Sequence, residues 1–438
     1  MDNLVKNIEN MEITNNEELI LNKIIINLEN LINNSLVPEK IIGFERPCDR
    51  NDFRNFENLI NNYLNEILIE LNNLKNYNID KKLLIIDNVD LRIILLKLVI
   101  IIGEESELNV WNNSITLELS NKLLIEVCWF FGVEKISDIF INNDFDDRLR
   151  DIILLLRPKL LKNTWKSNPA SVTCYKWVLH QVEMPGLLKY LTEVLPTALI
   201  VYDDYVPENR ITGLICIRKI LEHSSLQNEF LRSGYADVLY DALEKLTHER
   251  EVKYIIPLYN CITLILINIE SANNTINPYE WTKRDDILAT LLNNMELENN
   301  LELRHAYITS LPQLLTNIGC AKWCERLIRI LSEYCGHHTD LKTLKATLQF
   351  AEIVLSMFHV RIPAHCLILY TAFLKLHYDL TETPIFDEEI IRSLERCIYL
   401  LYKVTPNIGS AIIRDDRMRI IIKNSIHTSC FSDTKYCN

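Results

Sequence analysis

Apolar side chains return at three- and four-residue steps along residues 187–221. Leu187, Leu188, Leu191, Val194, Leu195, Ala198 and Leu199 share one helical face, and Ile211, Leu214, Ile215 and Leu221 share a second. Between them Asp203, Asp204 and Tyr205 cannot extend the first face, while Pro207, which lacks a backbone N–H, suits the first turn of a new helix. The pattern predicts two helices around a tight acidic corner. The same period predicts helices over 53–75, 81–103, 115–131, 148–156, 170–183, 186–201, 207–223, 234–247, 250–270, 284–296, 300–318, 320–335, 339–358, 362–378, 386–404 and 407–424. Residues 1–35 carry apolar positions at helical spacing diluted by Asn pairs, which compete for backbone hydrogen bonds.

This amounts to two helices per ~40 residues, the period of arrays whose repeats bury their cores only by stacking on neighbours. The fold class expected is all-α, an α-solenoid of HEAT-like or armadillo-type repeats. Pro196 in the first helix, the acidic turn, then Asn209, Arg210 and small Gly213 resemble the layout of a HEAT-type repeat. Pro38–Asp52, Phe140–Asp147 and Asn273–Tyr279 read as loops. The composition divides the chain into an Asn/Ile-rich helical region over 1–160, a helical-repeat region over 161–424 and a mobile tail over 425–438.

Composition narrows the function. With 9 Gly and 13 Pro in 438 residues there is little punctuation for strands and tight turns, and 48% hydrophobic residues are ample for a continuous core. A net charge of −13 argues against a nucleic-acid surface, which draws on clustered Lys and Arg, and favours protein partners. The opening residues carry acids and amides instead of a basic stretch and an apolar run, so no secretory signal is expected and the chain is assigned to cytoplasm and nucleus. The run Leu91–Ile102 is interrupted by Arg92 and Lys97 and falls short of the roughly 20 residues of a membrane span, so it predicts a buried helix. Twelve cysteines on apolar faces predict reduced thiols and no disulfides.

Candidate chemistry is sparse. Asp203 and Asp204 have the residue types of an acid/base pair or of metal ligands, yet adjacent aspartates at a helix corner more often cap the next helix or meet a partner. Cys320, Cys324, Cys335, His337 and His338 are the one grouping with metal-like character; the short CxxC knuckle is missing, and the alternative is core thiols with solvent-facing histidines. His180 reads as a hydrogen-bonded packing residue. Arg414, Arg417, Arg419 and Lys423, interleaved with Asp415 and Asp416, read as a solvated helix face. Trp165, Trp177, Tyr190, Tyr202 and Tyr205 crowd around the central corner: Trp177 is expected in the core, and Tyr205 either fills a gap or contacts a partner. No Gly-rich phosphate loop, GxSxG elbow or HExxH helix occurs, so no catalytic residue and no cofactor is assigned.

The run Ser167–Leu221 is similar to the central signature of the Tel-two-interacting protein two family. The matching features are Trp177 followed by Val182–Pro185, Leu195-Pro196, the Asp203-Asp204-Tyr205 corner, Asn209, Gly213 and Cys216. Gly234–Leu246 and Lys283–Gly319 fit more loosely, and the resemblance covers about residues 150–320. It implies a helical-repeat scaffold with no activity of its own, a subunit of the TTT co-chaperone. Its implied partners are the two larger subunits, Tel-two and Tel-two-interacting protein one type helical-repeat proteins. Through them it would reach phosphatidylinositol-kinase-related kinases and the heat-shock-protein-ninety machinery. Asp203, Asp204, Tyr205 and Asn209 are the candidate partner-binding residues. The competing functions are a general cargo or transport adaptor, whose expected Trp and Asn ladder is not evident with 6 widely spaced Trp, and a zinc-dependent enzyme built on the Cys320–His338 group.

Overall fold

The computed structural model describes residues 21–40, 46–76, 89–141, 147–224, 228–271, 280–315, 318–382, 387–412, 414 and 416–432. Residues 1–20, parts of the Pro38–Asp52 and Phe140–Asp147 loops, residues 81–88, the Asn273–Tyr279 loop and residues 433–438 of the predicted tail lie outside this set. Helices dominate the described residues, and no strand occurs among them. The chain divides into two compact units, Met1–Ser224 and Ser225–Asn438, so the composition change near residue 161 falls inside the first unit.

In the first unit residues 21–35 are helical. They are followed by α1 (Arg50–Asn76), α2 (Val89–Glu104), α3 (Ser114–Phe131), α4 (Arg148–Leu156), α5 (Pro169–Gln181), α6 (Leu191–Tyr202) and α7 (Pro207–Ser224). α2, α5 and α7 lie side by side, α3 joins α1 to α2, and α6 pairs with α7. The apolar run Leu91–Ile102 is the buried heart of α2, with Leu91, Leu95, Leu98, Val99 and Ile101 fully enclosed. Close approach of α2 and α5 requires a missing side chain at Gly103, where a Cβ would come within 2.5 Å of the Cys174 sulfur. Glu104 at the end of α2 ties three segments together. Its carboxylate accepts from the Val37 N–H at 3.1 Å and the Ser171 hydroxyl at 3.0 Å, and pairs with Lys159.

The second unit repeats a simpler scheme. Its long helices are α8 (Tyr235–Leu246), α9 (Val252–Ser271), α10 (Lys283–Leu297), α11 (Leu301–Leu314), α12 (Cys324–Cys335), α13 (Leu341–Met357), α14 (Cys366–Glu382), α15 (Glu388–Val404) and α16 (Asp416–Ser432). Consecutive helices pair across short links, and every second helix also packs on the next but one. One layer runs α9, α11, α13, α15, α16, and the other α10, α12, α14. This alternate stacking is the α-solenoid arrangement. α9 is long and apolar enough to cross a membrane by length and composition. Here its Ile255, Leu258, Ile262 and Leu266 are buried, and it packs on α8 and α11, as expected of a core helix of a helical stack.

Boundaries differ from the periodicity where a tight 3-10 turn precedes the α-helix. Leu188–Tyr190, Ile318–Trp323 and Ile362–His365 are such turns, leading into α6, α12 and α14. The segment predicted over 407–424 is two pieces, Pro406–Ile412 and α16, and α16 carries helix through Ser432, into the stretch expected to be a tail.

Candidate partner-binding site

The corner between α6 and α7 is built by one missing side chain and one buried carboxylate. α7 starts at Pro207, and α6 ends at Tyr202 with the Asp203 N–H returning to the Leu199 carbonyl at 2.9 Å. Gly213 lets the helices touch: a Cβ there would lie 2.4 Å from the Tyr202 nitrogen and 2.5 Å from its Cα. Adjacent Asp203 and Asp204 then part company, since Asp203 is exposed while Asp204 is buried. The Asp204 carboxylate pairs with Lys166 at 2.8 Å and accepts from the Asn209 side-chain amide at 2.7 Å. Its backbone carbonyl accepts from the Arg210 guanidinium at 3.0 Å. Burial opposes ionisation of Asp204, but the hydrogen bonds from Lys166 and Asn209 outweigh it and hold the carboxyl below its ordinary value.

Of the four sequence candidates, Asp204 and Asn209 therefore brace the corner, and Asp203 and Tyr205 face solvent. Tyr205 is 58% exposed, and its ring is held from one side by the Lys166 ammonium, 4.8 Å from the ring centroid. A Tyr more than half exposed beside an exposed carboxylate is a good protein contact, since a rigid aromatic loses little entropy when covered.

The corner forms one wall of a cleft of about 270 Å³ in the first unit, whose lining includes Lys40, Cys48, Trp111, Trp165, Lys166 and Asn209. Trp111 is fixed by an indole N–H donated to the Glu104 carbonyl at 3.2 Å, and the Lys40 N–H donates to the Ser167 carbonyl at 2.7 Å. Lys166 belongs to both corner and cleft. Sequence reasoning missed it because it sits in an aperiodic link; its one signal was adjacency to Trp165.

The remaining candidates are dispersed. Cys320, Cys324 and Cys335 are buried, and His337 is exposed. The Cys320 thiol lies 3.7 Å from the Leu314 carbonyl, and His338 faces Asp379 at 4.0 Å. Burial raises the Cys324 thiol and pushes Cys335 up to about 12, away from the thiolate a metal needs. Among the described residues no group of three or more His, Cys, Asp or Glu is placed to hold a metal ion. His180 is exposed instead of packed, with its ring nitrogen 2.8 Å from the Lys176 carbonyl. Trp177 is half-buried against Gly103, whereas Trp165, Tyr190 and Tyr202 are buried. Arg417, Arg419 and Lys423 are exposed on α16, as the charge pattern predicted, whereas Arg414, also exposed, lies in a turn before that helix.

Stacked helix pairs joined by short links define a helical-repeat protein, here with an exposed aromatic–acidic corner. Residues 156–335, from the last residue of α4 to the last of α12, match the model of the Tti2 family. Over that segment the chain is similar to that family. It is 31% identical over 261 residues to TELO2-interacting protein 2 of Homo sapiens, covering 58% of this chain and 51% of that one. The protein of the same name from Rattus norvegicus is 29% identical over 280 residues, covering 59% and 52%. That of Mus musculus is 27% identical over 297 residues, covering 65% and 57%. The chain thus spans about half the length of the curated relatives it matches.

Proposed function

We propose that this chain is a non-catalytic scaffold subunit of a TTT-type co-chaperone assembly. In this reading it binds a Tel-two type and a Tel-two-interacting protein one type helical-repeat protein, and through them supports maturation of phosphatidylinositol-kinase-related kinases with the heat-shock-protein-ninety machinery, in cytoplasm and nucleus. The observation that carries it is the family match over α5–α12, which takes in the α6–α7 corner with Asp203 and Tyr205 turned outward. The relatives' name, TELO2-interacting protein 2, says what they bind.

Affinity purification with mass spectrometry tests it. The expected companion is a larger helical-repeat protein in stoichiometric amount; recovery of the chain as a lone monomer overturns the proposal. The double change Asp203→Ala with Tyr205→Ala is expected to lower that recovery at an unchanged melting temperature, because both side chains face solvent. Asp204→Ala is expected to lower the melting temperature itself, since it strips Lys166 and Asn209 of their shared acceptor.

A further inference from the structure

Trp281 stands just outside α10, where a helix usually fixes its entry with an apolar pair. Thr282 is the N-cap and closes a capping box with Asp285. A residue in the place of Trp281 ordinarily packs on the residue at the fourth helical position, but here that residue is Asp286 and offers no apolar surface. The indole N–H instead donates to the Asp286 carboxylate at 2.6 Å, and the side chain stays in solvent, 59% exposed. Of the 6 Trp in the chain, Trp281 alone is exposed.

The ring is nevertheless held in place. Buried Asp285 accepts from the Trp323 indole N–H at 2.8 Å and pairs with Lys322 at 2.7 Å. Trp323, fixed in this way, meets Trp281 edge-on with ring centroids 5.7 Å apart. The Lys322 ammonium also donates to the Glu280 carbonyl at 3.0 Å and lies 5.6 Å from the Trp281 centroid. An aromatic side chain already immobilised loses little freedom when a partner covers it.

Charge selects the cover. Lys322 is answered by Asp285, whereas Asp286 and Glu280, both exposed, make no ion pair among the described residues. An apolar cover would strip water from the Asp286 carboxylate and return no hydrogen bond. Nucleic acid and anionic lipid are repelled by spare carboxylates in a chain of net charge −13. The platform lacks a cation, and a guanidinium is the one whose plane stacks on an indole while its fork reaches a carboxylate. We propose that Trp281 and Asp286 seat an arginine of a partner protein. Its guanidinium stacks on the exposed indole and donates to the Asp286 oxygen that Trp281 leaves free, with the Glu280 charge beside it. That the arginine belongs to a protein rests on the scaffold function proposed above; the contact is on the second unit and additional to the corner on the first.

The probe is a fluorescein-labelled Gly-Ser peptide of about ten residues with interspersed Arg, titrated by anisotropy against the full chain beside the same peptide with Lys in place of Arg. The two peptides carry equal charge, so general attraction to the acidic chain cancels between them. The Arg peptide is expected to bind at least about fivefold tighter. Trp281→Ala is expected to level the two affinities at an unchanged melting temperature, because the side chain is exposed. Asp286→Asn keeps an oxygen for the indole N–H and loses the charge, and should weaken the Arg peptide by about threefold or more. Absence of binding, equal affinities in the unchanged chain, or an Arg preference that survives Trp281→Ala overturns the proposal. So does full affinity in Asp286→Asn, or a dimer of this chain that Trp281→Ala dissolves. The titration uses the full chain alone, so its result stands whether or not a companion co-purifies.

Discussion

A single hydrogen atom at Gly213 sets the distance between α6 and α7. A methyl group there meets the backbone of Tyr202, not the movable end of a side chain, so no rotamer change relieves it. Gly213→Ala is expected to destabilise the first unit by about 1–3 kcal/mol through overpacking. Thermal unfolding checks this, and a melting temperature equal to that of the unchanged chain refutes the close approach. The small residue was legible in the sequence, where Gly213 stands in the layout of a HEAT-type repeat, but the Tyr202 backbone it meets was not. Which aspartate of the pair turns inward was not legible. That choice is made by Lys166, which reaches Asp204 from a separate link and has no periodic relation to the corner. His180 was misjudged for a related reason: helical period places it near an apolar face, but only the packing of α5 on α2 and α7 decides which edge of that face is covered.

At the scale of elements, the second unit is pinned by a buried cation. The Arg284 guanidinium, near the start of α10, makes two hydrogen bonds to the Glu270 carboxylate of α9 at 2.7 and 2.8 Å and a third to the Leu314 carbonyl at the end of α11, at 2.7 Å. Three consecutive helices therefore share one planar fork, whose shape an ammonium does not reproduce. Arg284→Ala strands the Glu270 charge and orphans the carbonyl, and is expected to cost about 3–5 kcal/mol. Arg284→Lys is expected to recover less than half of it. Chemical denaturation read by circular dichroism checks both, and an Arg284→Ala midpoint within error of the parent counts against the clamp. The helices themselves were legible because apolar period survives at every long segment. The first turns of α6, α12 and α14 were not, since 3-10 and α backbone share nearly the same side-chain pattern over a single turn. The Arg284 fork was invisible for another reason: its two partners, Glu270 and Leu314, lie on other helices and are ordinary residues in each.

At the scale of the whole molecule, the first unit carries two buried ionisable groups that oppose each other across the pH range. Burial raises the Glu105 carboxyl to about 8, aided by the neighbouring Glu104 charge and opposed by the Asn112 hydrogen bond. Burial lowers the His223 imidazole to about 4, with Lys219 acting in the same direction. A carboxyl with a raised folded value keeps its proton better when folded, so its contribution is intact below the ordinary 4.5 and is lost as pH climbs toward 8. A histidine with a depressed folded value acts in the other direction: its contribution is intact above 6.5 and is lost as pH falls toward 4. Glu105→Gln is expected to flatten the alkaline limb between those carboxyl values, by about 1.4 kcal/mol for each tenfold difference in proton affinity that the change abolishes. His223→Gln should flatten the acid limb. Thermal melts at pH 5, 6.5 and 8 provide the measurement, and parallel profiles for Glu105→Gln and the unchanged chain refute the assignment.

The alternate stacking of the second unit also bears on how the chain is made. The Cys397 thiol reaches the Leu348 carbonyl 49 residues back, and the Asn294–Thr247 and Lys345–Glu389 links span 47 and 44. Contacts this local let each helix pair lock onto its predecessor soon after leaving the ribosome, without waiting for the far end of the chain. The last helix laid down by synthesis would then be the last to find its seat, and a nascent chain stalled midway would already hold a finished stack behind it.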